Sequence, residues 1–175
     1  MSFTHNCNYY VQTLNQNKMK KIFFIVAVFA TVFVQQSFAQ EIIKTSTSPL
    51  LISYYNLKDA LVSSNVNAVA ASAIDFAKTI NESNKETVND ENRNALLSDA
   101  TAIAKTKDLK VQREKFAALS TNMYAVAKAV KLAPDPIYRL FCPMKKASWL
   151  SSSKVIKNPY YGSAMLTCGS VKEIL

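Results

Sequence analysis

Cys142 and Cys168 are the residues of this chain best suited to chemistry. They bracket the stretch CPMKKASWLSSSKVIKNPYYGSAMLTCG, with Met144 just after the first cysteine and Met165 just before the second. Thiolate and thioether are soft ligands that select Cu(I) and, by the same logic, Ag(I). A fold that set Cys142-x-Met144 against Met165-x-x-Cys168 would offer up to four sulfurs to one ion, so Cys142, Met144, Met165 and Cys168 are candidate metal ligands. Zn(II) and Cu(II) find a poor supply here, because His5 is the only histidine and acids are few nearby. Lys145 and Lys146 decide nothing: they repel a bare cation but stabilise the net negative charge of Cu(I) held by two thiolates. Two other states stay open. A direct Cys142–Cys168 disulfide closes a 27-residue loop, contributing about 3 to 4 kcal/mol in the chain-entropy model and leaving both methionines as core fillers. Free buried thiols are the third state.

Other chemistry is poorly supplied. Lys20 and Lys21 precede the apolar run Ile22 to Val34 and then QQSFA, which reads as a secretory signal over residues 19–39, cut after Ala39. The run is shorter than the roughly 20 apolar residues of a membrane span. Residues 1–18 read as an over-extended start, so His5 and Cys7 are expected to leave with the leader. The remaining chain, Gln40 to Leu175, then lacks histidine and with it Ser-His-Asp and Cys-His nucleophile pairs. Two isolated glycines, Gly162 and Gly169, build no phosphate-cradling loop. The expectation is an exported protein that is not an enzyme.

Charge adds a second asymmetry. Gln40 to Leu175 carries 18 Lys and Arg against 12 Asp and Glu. Residues 137–175 hold six of the basic groups and one acid, Glu173. An exported protein seldom meets nucleic acid, so the basic tail reads as a solvated face, with anionic lipid or an acidic partner protein as the other choices.

These residues must be positioned by two kinds of structure. Leu50 to Leu132 contains neither Gly nor Pro, which predicts helices joined by short polar turns. Apolar stripes follow helical spacing: Leu50, Tyr54, Leu57 and Leu61; Val66, Val69, Ala73, Phe76, Ala77 and Ile80; Leu96, Ala100 and Ile103; Leu109, Phe116, Leu119, Met123, Val126 and Val130. Asn89 or Asp90 is expected to cap the third helix and Asp108 the fourth, with Lys128 and Lys131 near the last C-terminus. Four such helices with short connections predict an antiparallel four-helix bundle, an all-α fold. Pro134 and Pro136 end it. A linker over residues 40–47 leads into one domain over residues 48–175, whose C-terminal lobe, residues 137–175, is expected to be irregular. Within it IYRLF and ASWLS read as short strands or extended segments, NPYYG as a turn, and GSVKEIL as a last helical turn. Trp149, Tyr160 and Tyr161 read as packing for this lobe.

The blocks FCPM, SWLS, IKNPYYG and MLTCG, in that order behind QREKFAALS, resemble an uncharacterised bacterial periplasmic family. Its domain occurs alone and attached to the adaptor (membrane-fusion) subunits of copper and silver efflux systems. The resemblance covers residues 48–175, and in the helical part its non-generic positions are Arg113, Phe116, Leu119 and Ser120. It implies a role beside heavy-metal efflux, an efflux adaptor or other periplasmic protein as partner, and Cu(I) or Ag(I) as the ion. The family's CPM and MLxCG blocks fall on Cys142, Pro143, Met144 and on Met165, Leu166, Cys168, Gly169. Relatives have a longer, glycine-containing loop between CPM and the tryptophan, where this chain has only KKAS.

Overall fold

The glycine- and proline-free stretch folds as four helices: α1 (Pro49–Val62), α2 (Val66–Glu82), α3 (Asp90–Lys105) and α4 (Leu109–Ala129). The computed structural model describes residues 46–175; the expected leader, its cleavage point and nearly all of the linker lie outside the described residues. Pro49 opens α1, where its missing N–H costs nothing. Side-chain caps open the others. Asn65 accepts from the Ala68 amide, Asn89 from Asn92, and Asp108 from Lys110. Most of the predicted stripe residues point inward: Leu50, Tyr54, Leu57, Leu61, Val69, Ala73, Phe76, Ile80, Leu96, Ala100, Ile103, Phe116, Leu119, Met123 and Val126 are buried, whereas Val66, Ala77, Leu109 and Val130 are half-buried. Arg93, at the start of α3, closes the turn before it by donating to the carbonyls of Ile80, Ser83 and Val88.

Each helix packs on the next in sequence, and short connections make consecutive helices antiparallel neighbours. The first and last helices meet through side chains. The Tyr54 ring stacks on Phe116 with centroids 5.6 Å apart, and the Tyr54 hydroxyl shares a 2.7 Å hydrogen bond with Ser120 Oγ.

The C-terminal lobe corrects the all-α expectation. It is a three-stranded antiparallel sheet in the order β2-β1-β3, built from β1 (Tyr138–Cys142), β2 (Ala147–Ser151) and β3 (Ser170–Ile174). The two segments read as extended form the β1–β2 hairpin. GSVKEIL is a strand, not a helical turn, and its spacing explains the misreading. Val171 and Ile174 are three apart, as on a helix face. A bulge between Arg139 and Leu140 instead sets them opposite Leu140 and Tyr138 on one face of the sheet.

The two faces of the sheet are used differently. Arg139 and Phe141 share one face with Leu150 and Ser148, and here Arg139 lies 4.2 Å from the Tyr124 ring of α4. Tyr138, Leu140, Cys142 and Trp149 share the other. The chain from Ser152 to Gly169 returns over Trp149 and includes a 3-10 turn at Gly162–Met165. Gly169 permits the close approach: a Cβ there would lie 2.9 Å from the Trp149 indole. Tyr160 joins sheet to bundle, with its ring 6.0 Å from Trp149 and 5.9 Å from Phe116.

Candidate metal centre

Cys142 closes β1 opposite Ala147 and is fully buried beside Leu140 and Trp149. The following turn, residues 143–146, folds back so that the Lys145 amide faces the Cys142 sulfur at 3.5 Å. Lys146 takes φ +55 to complete that turn. With Phe141 paired to Ser170, the end of β1 runs beside the start of β3, and this register carries Cys168 to the Cys142 side of the sheet.

Cys168 is half-buried and held through its backbone. Its N–H donates to the Met165 carbonyl at 3.1 Å, and its carbonyl accepts from Asn158 Nδ2 at 2.8 Å. Asn158 organises the whole return. It is fully buried; its amide donates to Leu166, its side-chain oxygen accepts from Tyr160 N–H, and its carbonyl accepts from Gly162 N–H. Sequence reasoning passed over Asn158, although it stands in the IKNPYYG block. Its signal was an amide side chain directly before Pro159 in a turn.

Both cysteines are free thiols in the structure, and the alternative Cys142–Cys168 disulfide is not formed in it. Burial pushes the Cys168 thiol above its usual range. Cys142 pushes it further, first by a hydrogen bond between the two groups and then by its charge. The thioethers sit at the surface, Met144 63% and Met165 39% exposed. Cys142 is thus buried, Cys168 half-buried, and the two methionines face solvent. Among the described residues no three His, Cys, Asp or Glu side chains form a metal-sized group.

The support for this centre comes from the bundle. Arg113 of α4 donates to the Pro159 carbonyl at 3.1 Å, to Leu61 O at 3.3 Å and to Ser64 Oγ at 2.9 Å. One guanidinium thereby ties the NPYYG turn to the end of α1.

Residues 50–135 match the model of a family described as protein of unknown function (DUF3347). The DUF3347 match takes in all but the first residue of α1, the whole of α2 to α4 and Pro134, and ends before Pro136 and β1. Tyr54, Arg113, Phe116 and Ser120 fall inside it, whereas Cys142, Met144, Met165 and Cys168 fall beyond it. Comparison with curated proteins and with solved structures gave no match.

Proposed function

We propose that this chain is a non-catalytic periplasmic binding protein for a soft monovalent ion, Cu(I) or Ag(I). The observation that supports the reading is that the β1–β3 register carries Cys168, half-buried, to the side of the sheet where Cys142 is buried, and that both are free thiols. Cys142 and Cys168 supply two thiolates, the geometry a low-coordinate soft ion accepts, and Met144 and Met165 supply thioethers from the rim. The Lys145 amide points at the Cys142 sulfur at 3.5 Å. The placement beside copper or silver efflux, with an adaptor subunit as partner, rests on the resemblance of the tail blocks.

A thiol must lose its proton to ligate. Since Cys168 is held above the usual thiol range, binding near neutral pH competes with that proton. Apparent Cu(I) affinity is therefore expected to rise with pH, by about tenfold per unit for each proton released, when reduced protein is titrated against a chromogenic Cu(I) chelator. Cys142→Ser and Cys168→Ser are each expected to weaken competition strongly.

The rival reading is a structural or protein-interaction domain in which the same two sulfurs form a disulfide. Intact mass with and without reductant separates the two. A two-hydrogen deficit in protein prepared from periplasm, together with no Cu(I) competition after reduction, would overturn the metal reading.

A further inference from the structure

The two outer edges of the sheet are treated in opposite ways. On β2 the edge groups are sealed by tyrosine hydroxyls: the Leu150 N–H donates to Tyr54 Oη at 3.0 Å, and the Ser148 carbonyl accepts from Tyr160 Oη at 2.5 Å. On β3, among the described residues, neither a strand nor a side-chain hydrogen bond reaches the outer backbone edge. An open strand edge is a template for another strand.

Apolar surface accompanies that edge. The bulge that puts Val171 and Ile174 on one face also leaves them in solvent, 36% and 55% exposed. Charge then selects the occupant. Lys172 is exposed and lies 5.6 Å from the Phe141 ring, while Lys154 lies 5.7 Å from Tyr138, the cross-strand neighbour of Ile174. The single acid of the lobe, Glu173, is already taken by Tyr124, Lys128 and Arg139. A lysine on an edge strand opposes pairing with a second copy, because the two copies would bring like charges together.

We propose that the outer edge of β3 is a docking site for an extended acidic segment of a partner protein, which adds as a fourth strand. Backbone hydrogen bonds would supply the pairing, Val171 and Ile174 would take apolar residues at alternate positions, and Lys172 and Lys154 would take carboxylates. The pairing does not depend on metal.

The test is selection of a displayed library of random peptides against the full chain, followed by hydrogen exchange with the strongest binder. The expected result is enrichment of sequences alternating apolar and acidic residues. Their binding should slow amide exchange at residues 170–175 and weaken about tenfold or more in Lys172→Glu. Ile174→Lys is a second variant at an exposed position; urea unfolding confirms that both fold. Enrichment of basic or helical sequences, or of none, overturns the proposal. So does binding that leaves exchange at residues 170–175 unchanged, or self-association of the chain through those amides.

Discussion

Gly162 stands at φ +56 where the NPYYG turn meets the end of α1, and a Cβ there would lie 2.5 Å from Ser64 Oγ and 3.0 Å from the Val62 carbonyl. The serine can rotate away, but the carbonyl belongs to a helix end. Left-handed strain costs about 1 to 2 kcal/mol and overpacking about 1 to 3. Gly162→Ala is therefore expected to lose about 2 to 5 kcal/mol in urea unfolding. Tyr54→Phe tests the opposite kind of contact. It keeps the ring on Phe116 but strands the buried Leu150 amide and Ser120 hydroxyl, at an expected cost of about 1 to 3 kcal/mol in the same measurement. Such residues are only partly legible in a sequence. The turn at NPYYG follows from Pro159 and Gly162, and Arg113 and Ser120 are marked by the family resemblance. What Arg113 holds, 46 residues away at Pro159, is a fact of tertiary structure that no local pattern carries.

At the scale of elements, the helices were legible and the third strand was not. Helices announce themselves by spacing and caps that are local in sequence, as Asn89 and Asp108 do. β3 is defined by its register with β1 some 30 residues earlier, and its bulge mimics a helical spacing. That Cys142 and Cys168 end on one side of the sheet depends on the β1–β3 register, and the exposure of Met144 and Met165 is likewise set by tertiary structure. A charged latch closes β3 onto α4: Tyr124 donates to Glu173 at 2.6 Å, with Lys128 and Arg139 each 3.5 Å from the carboxylate. The Tyr124 hydrogen bond, more than the two cations, holds Glu173 below its ordinary value of 4.5. A depressed carboxylate contributes stability that is present above the unfolded value and lost as pH falls through the folded one. Amide chemical shifts of residues 170–174 are accordingly expected to move toward unfolded positions as pH drops below about 4.5. Glu173→Gln should remove that pH dependence.

Over the whole molecule, Tyr54, Tyr55 and Tyr160 are held neutral, each pushed above its ordinary value of 10.0 chiefly by burial. Groups raised in the folded state contribute stability that is complete below the unfolded value and lost as pH climbs toward the folded one. Global stability is thus expected to decline above about pH 10. Phenolate absorbance should appear together with loss of helix, because Tyr54 and Tyr160 sit at the joint between bundle and sheet. Trp149, the single tryptophan of the chain, has its indole against Gly169, the residue after Cys168, on the same face of the sheet as Cys142. That placement makes the protein its own optical reporter. Oxidation of the thiols, or arrival of a heavy ion between them, should alter indole emission without any added dye, and unmodified protein can be followed in a fluorimeter while its sulfur state changes.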